Sequence, residues 1–174
     1  MQRVLIIGCG GAGKSTLAKK IAKSTNLPLI HLDQHYWRPN WVEPSSKTWY
    51  KQVAGLIKLD AWIMDGNYGG TMDQRIVLAD TIIFMDYPTW RCLFRVLKRT
   101  IIYWRRSRPD MTEGCPERFS WDFLHYIATY NQTRKPKILA KLSGLEADKN
   151  IHILQNDQQV NHFLNLINDP NENH

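Results

Sequence analysis

The chain is short of several things, and each shortage narrows what it does. Only three cysteines occur in 174 residues, Cys9, Cys92 and Cys115, and no two form a C-x-x-C pair. A zinc ribbon and a dithiol redox motif are therefore excluded, and free thiols suit a reducing compartment. No apolar run approaches the ~18 residues that span a bilayer, and the N-terminus holds only Val4-Leu5-Ile6-Ile7 before its first turn. A soluble, cytoplasmic protein without membrane contact is expected. Acid is missing locally: between Tyr87 and Pro109 lie Arg91, Arg95, Lys98, Arg99, Arg105, Arg106 and Arg108 with no Asp or Glu among them. Those seven charges equal the formal net charge of +7, so the basic character is local. Such a block serves a nucleotide polyphosphate or a nucleic-acid backbone, or is simply a solvated helix face. Internal repeats and a second domain are absent too, and the length suits one domain that buries roughly two-thirds of its unfolded surface.

What is present begins at Gly8-Cys9-Gly10-Gly11-Ala12-Gly13-Lys14-Ser15, between the apolar run 4–7 and the helical pattern Thr16 to Ala22. It fits G-x-x-x-x-G-K-[ST] in the strand-to-helix setting that gives this motif meaning. Glycines let successive N–H groups converge on phosphate oxygens, and the helix N-terminus adds positive potential. Gly8, Gly10, Gly11, Ala12, Gly13, Lys14, Ser15 and Thr16 are thus the expected nucleotide cradle. Lys14 is placed to reach the β- and γ-phosphates and Ser15 to ligate Mg²⁺. Rival signatures are lacking: there is no N-K-x-D for guanine, no D-x-x-G switch and no L-S-G-G-Q.

Further on, strands are expected over Leu27–Asp33, Ala61–Asp65, Thr81–Asp86 and Asn150–Leu154, three of them ending in Asp33, Asp65 and Asp86. Ligands sit beyond the carboxyl ends of parallel strands, which puts these acids near the phosphate loop. Helices are expected over about 46–58 and 72–79, then from Thr89 to Arg106, then from Ser120 to a break near Pro136, and from Asp157 onward. In the basic helix, Trp90, Leu93, Phe94, Leu97, Ile101 and Trp104 form an apolar stripe expected to pack on the sheet. The alternation gives an α/β class: one three-layer domain over 1–174, with a five-stranded parallel sheet, helices on both faces, a small lid over about 105–120 and a frayed tail at 169–174.

This order resembles the adenylate-kinase-like nucleoside-monophosphate kinases. His31 to Trp37, Trp62 to Tyr68 and Arg95 to Arg108 resemble more closely the bacterial DNA topology modulation proteins, a FlaR-related group. The resemblance to adenylate kinases implies that Asp65, in Asp65-Gly66, binds a Mg²⁺-linked water. It also implies that Arg95 and Arg99 meet the nucleotide base and phosphates at the start of the lid. The chain departs from that pattern after Gly66: Asn67-Tyr68-Gly69 stands where Phe-Pro-Arg is expected, so the monophosphate-binding arginine is missing and Arg75 is a candidate replacement.

The candidate catalytic residues are Lys14, Asp33, Arg99, Arg105, Arg106 and Arg108, the last three at a flap hinge. Asp33, which orients or deprotonates an acceptor hydroxyl, His35, Tyr36, Trp37 and Arg75 form the candidate acceptor site, with Trp41 beside them; Ser15 and Asp65 are the candidate metal ligands. Each has a plainer reading: Asp33 as a turn cap, His35 as a packed ring, the aromatics as core, the arginines as surface charge. The function expected is transfer of the γ-phosphoryl group of Mg-ATP to a small acceptor: a nucleotide, a nucleoside or a similar metabolite. Two alternatives stand beside it, a nucleic-acid-binding regulator of DNA topology and a nucleotide-binding switch without turnover.

Overall fold

In the computed structural model of the chain, which describes residues 1–145 and 147–168, five parallel strands form one sheet. They are β1 (Arg3–Gly8), β2 (Leu29–His31), β3 (Trp62–Asp65), β4 (Thr81–Met85) and β5 (Asn150–Leu154), in the order β2-β3-β1-β4-β5. All residues of β3 and β4, and all but the first of β1, are buried. Near-continuous apolar strands of this kind require helices on both faces of the sheet. The register places Ile6 beside Asp65 and Gly8 beside Met85, so the phosphate loop leaves the sheet between the ends of β3 and β4.

The helices are α1 (Lys14–Thr25), the single turn α2 (Leu32–Tyr36), α3 (Ser46–Leu56), α4 (Gly69–Leu78), α5 (Thr89–Ile102), α6 (Trp121–Thr133), α7 (Lys135–Leu142) and α8 (Asp157–Asn168). Local chemistry sets several ends. Ser45 and Ser120 accept hydrogen bonds from Thr48 N and Phe123 N at the starts of α3 and α6, and Asn26 closes α1 in the left-handed conformation. Pro136 sits in the first turn of α7, where its missing N–H costs nothing. The tail expected at 169–174 lies outside the described residues. Among those described, no helix is long and apolar enough to cross a membrane.

Two expectations are corrected. The second strand stops at His31, and Asp33 lies in the first turn of α2, which carries the chain into the aromatic segment. Of the apolar stripe of α5 only Leu93 packs against the core: Trp90, Phe94, Leu97, Ile101 and Trp104 are 42–77% exposed, while Cys92, Val96 and Thr100 face inward. The cause is the close approach of α5 to the phosphate loop. A Cβ on Gly11 would stand 2.5 Å from the Cys92 carbonyl oxygen and 2.8 Å from Val96 Cγ2. Only small inward side chains fit there, and bulk is displaced to the outer face.

Candidate functional site

The loop between β1 and α1 is held from three directions. Gly11 and Gly13 adopt φ of +79° and +101°, which aim the intervening amides inward at no Cβ cost. Asn67, just past β3, grips the loop's first residue: Gly8 N donates to its Oδ1 (3.0 Å), and its Nδ2 donates to the Gly8 carbonyl (2.8 Å) and to the Tyr126 hydroxyl (2.8 Å). On the α5 side, Arg95 donates to the Ala12 carbonyl (3.1 Å). Lys14 Nζ folds back onto the carbonyls of Gly8 (3.0 Å) and Cys9 (2.9 Å), a resting place from which a phosphate can draw it.

A cavity of about 1470 Å³ opens in front of this loop. Its size exceeds the ~300–1,000 Å³ of ordinary single-ligand pockets. Gly10 to Thr16, Asp33, Tyr36, Trp37, Asp65, Arg95, Arg99 and Arg108 all line it, which brings most of the expected residues together. Asp65 is buried and paired with His31 Nδ1 (2.7 Å), fixing its carboxylate at the end of β3. Asp33 accepts a short hydrogen bond from the Tyr68 hydroxyl (2.5 Å). Burial raises the pKa of Asp33 and the charge of Asp65 adds to the rise; the Tyr68 hydrogen bond and the charges of Lys14 and Arg108 oppose it without cancelling it. A carboxyl so tuned is suited to taking a proton from a hydroxyl. Around it Tyr36 packs on Trp37 (5.0 Å), Trp49 (5.0 Å) and Tyr68 (4.7 Å), and Trp37 on Trp41 (5.2 Å).

The segment 105–120 lies over the aromatic segment. Thr112 Oγ1 donates to the Trp37 carbonyl (2.7 Å), Asn40 N to Gly114 O (2.8 Å) and Trp41 Nε1 to Pro116 O (3.1 Å). Arg108 pairs with Asp110 (2.9 Å) and with Glu117 (2.8 Å), and Arg99 with Glu117 (3.0 Å). Burial opposes ionisation of Asp110, yet the charge of Arg108 beside it outweighs burial and holds the carboxyl below its usual pKa. Arg108 and Asp110 line the same cavity as Lys14 and Ser15 of the phosphate loop.

Several expected residues are placed otherwise. Arg75 is wholly buried in α4 and donates to four carbonyls, Thr71 (3.2 Å), Gly66 (2.8 Å), Asn67 (2.5 Å) and Tyr68 (3.0 Å), so its guanidinium is not presented to an acceptor phosphate. His35 is half-buried, does not line the cavity, and has its pKa lowered by burial. Arg105 and Arg106 are exposed and do not line it either; the backbone there turns outward, with Arg105 at φ +58°. Asp86 pairs with Lys135 (2.7 Å). Sequence reasoning missed Asn67, Tyr68, Asp110, Glu117 and Asp157. Asp157 bonds Tyr87 (2.6 Å) and pairs with Arg91 and with Arg95 (3.0 Å). The departure at Asn67-Tyr68 was the available signal, since the two residues that replace the expected pattern grip the loop and Asp33.

Mg²⁺ fits the donors at hand. Ser15, Asp65 and Asp33 offer hard oxygens, and among the described residues no three His, Cys, Asp or Glu side chains converge. One or two protein oxygens, supplemented by phosphates and water, are what Mg²⁺ uses.

No family model matches the sequence, and no curated protein matches it. Among solved structures the chain is similar to shikimate kinase from Acinetobacter baumannii in complex with shikimate (TM-score 0.60, 12% identity, 96% of this chain and 90% of that one). It is similar also to shikimate kinase from Bacteroides thetaiotaomicron (TM-score 0.55, 14% identity, 98% of each chain) and to deoxyadenosine kinase from M. mycoides with bound dATP (TM-score 0.55, 17% identity, 97% of this chain and 100% of that one). The fold is therefore that of the P-loop kinases.

Proposed function

We propose that this protein is a Mg-ATP-dependent phosphotransferase that moves the γ-phosphoryl group to a hydroxyl of a small acceptor. The observation that carries the reading is one cavity walled both by the loop that bears Lys14 and by Asp33, whose carboxylate the Tyr68 hydroxyl holds. Backbone amides of Gly10 to Ser15 hold the phosphates, and Lys14 leaves the Gly8 and Cys9 carbonyls for the β- and γ-oxygens. Asp33 orients the acceptor hydroxyl and takes its proton as the new O–P bond forms and the bond to the ADP oxygen breaks. Ser15 and Asp65 would hold Mg²⁺, which supplies charge neutralisation between the phosphates. Arg99 and Arg108 line the same cavity and exchange Glu117 and Asp110 for phosphate oxygens when nucleotide binds, and the segment 105–120 serves as the lid.

The acceptor side offers aromatic faces, a hydroxyl and a carboxylate, and Arg75 is consumed by backbone carbonyls. That chemistry favours an uncharged, ring-bearing alcohol of the nucleoside class over a monophosphate. The nucleic-acid reading, which the resemblance to topology modulation proteins carries, is weakened by charge pairing. Of the seven basic residues in the block, Arg91, Arg95, Arg99 and Arg108 are paired with Asp157, Glu117 or Asp110. A thermal-shift screen of Mg-ATP with nucleosides, sugars and other hydroxylated metabolites tests the assignment. Joint stabilisation by Mg-ATP and an acceptor, followed by a phosphorylated product in the mass spectrum, is expected. Tight, salt-sensitive duplex DNA binding that survives Lys14→Ala, with no product from any acceptor, would overturn it.

A further inference from the structure

Helix α5 has two working faces. Its inner face carries Arg95 and Arg99 into the cavity, sets Cys92 and Val96 against Gly11 of the loop and bonds Thr100 to Glu117. Its outer face presents Trp90 (70% exposed), Phe94 (63%), Leu97 (42%), Ile101 (77%) and, in the following turn, Trp104 (52%). Within the helix the spacing is 4-3-4, the seam of two helices packed side by side, and Trp104 follows just past the helix end. With large aromatics taken at ~150–250 Å² each and the exposed Ile102 included, this face leaves roughly 700 Å² of apolar surface in water. A monomer rarely exposes more than ~300–600 Å² in one patch, whereas one partner of a standard interface contributes about 800 Å².

The order of side chains names the occupant. About Leu97 the stripe mirrors itself in size: Phe94 lies three residues before and Ile101 four after, and Trp90 and Trp104 each lie seven away. We propose that a second copy of this chain covers the stripe, through an antiparallel pairing of α5 with its mate about a two-fold axis at Leu97. Each Trp90 then meets the mate's Trp104, each Phe94 the mate's Ile101, and Leu97 meets itself. Such an isologous contact closes on itself and stops at the dimer. Along one flank stand Arg91, which also pairs with Asp157, and Lys98 seven residues on, and the pairing sets these rows side by side at the wet rim. Like charges there cost little and are screened by salt. Dimerisation therefore tightens as salt rises, the opposite of docking to an acidic protein or an anionic lipid surface. The dimer also braces, from behind, the helix that delivers Arg95 and Arg99. The inference does not depend on the phosphotransferase reading.

Sedimentation velocity of the full chain from ~1 to ~100 µM, at about 0.05 and 0.5 M NaCl, tests it. A monomer–dimer equilibrium in the micromolar range is expected, tighter by several-fold at the higher salt, with at least a hundredfold weakening in Leu97→Lys and in Ile101→Asp. Both sites are exposed, so both variants should keep the wild-type circular dichroism. Leu97→Cys, treated with a short bismaleimide, should give a cross-linked dimer, and Val77→Cys, 70% exposed elsewhere, should not; Cys9, Cys92 and Cys115 are buried. A wild type that stays monomeric at both salts would overturn the proposal. So would a dimer unaffected by both substitutions, or a monomer that instead binds phosphatidylglycerol vesicles and releases them as salt rises.

Discussion

Replacing Arg75 by methionine separates a structural role from the expectation, read from the sequence, that this arginine binds an acceptor phosphate. The side chain is fully buried and, among the described residues, no carboxylate pairs with it; burial pulls its pKa down to about 10, so it remains charged at neutral pH. Of its four acceptors, Tyr68 O keeps Thr71 N (2.9 Å), and Thr71 O lies one turn back within α4. Gly66 O and Asn67 O are the carbonyls left short of a donor. Two orphaned acceptors at roughly 1–3 kcal/mol each cost about 2–6 kcal/mol. Relief of the buried guanidinium's own desolvation offsets part of this, leaving about 2–4 kcal/mol. For a chain of this size that is a fall in Tm of roughly 5–15 °C. Urea unfolding and calorimetry read the loss directly. Because the same carbonyls bracket Asn67, which grips Gly8, nucleotide binding should weaken in parallel. A Tm within ~2 °C of wild type, joined to a raised acceptor KM, would refute the reasoning and return Arg75 to the substrate.

Tyr68→Phe removes the hydrogen bond that favours ionised Asp33, so the acid limb of the pH–rate profile should move to higher pH; an unmoved limb would deny Asp33 the role of base. Since the folded-state pKa of Asp33 is raised, the native state holds a proton that the unfolded chain has released. Stability should therefore be greatest below the ordinary carboxylate pKa and decline as pH rises through the folded value, a decline that Asp33→Asn should abolish in pH-dependent denaturation. Gly11→Ala places a Cβ at φ +79° and 2.5 Å from the Cys92 carbonyl oxygen; about 3 kcal/mol of destabilisation is expected, read by urea titration. Asn67→Ala should leave Gly8 without its side-chain partners and raise the Kd for Mg-ATP roughly tenfold, with little change at the acceptor site, measured by calorimetric titration.

The phosphate loop, the α/β alternation and the five strands were legible because each is a local pattern: an apolar run, a glycine turn, a helical period. The orientation of α5 was not. Periodicity finds an apolar stripe but not which side of the helix the fold needs, and here the tight contact at Gly11 demanded small residues inward. The partners of the arginines were equally hidden. Glu117 neutralises Arg99 from 18 residues away, and Asp157 meets Arg95 from 62. Asn67 reads as a loop residue until β1 and β3 are set side by side, when it reaches Gly8 across 59 residues. Asp33 was found by its position after an apolar run, although that run ends in a helical turn rather than a longer strand.

The most direct measurement is acceptor-dependent release of ADP from Mg-ATP, with mass-spectrometric detection of the phosphorylated product, for the wild type and Lys14→Ala. The account predicts product formation by the wild type with a hydroxyl-bearing, ring-containing acceptor, and loss of it in the variant even though the variant remains folded. Mg-ATP that neither stabilises the wild type nor yields ADP with any acceptor, or a Lys14→Ala protein that turns over as the wild type does, would contradict it.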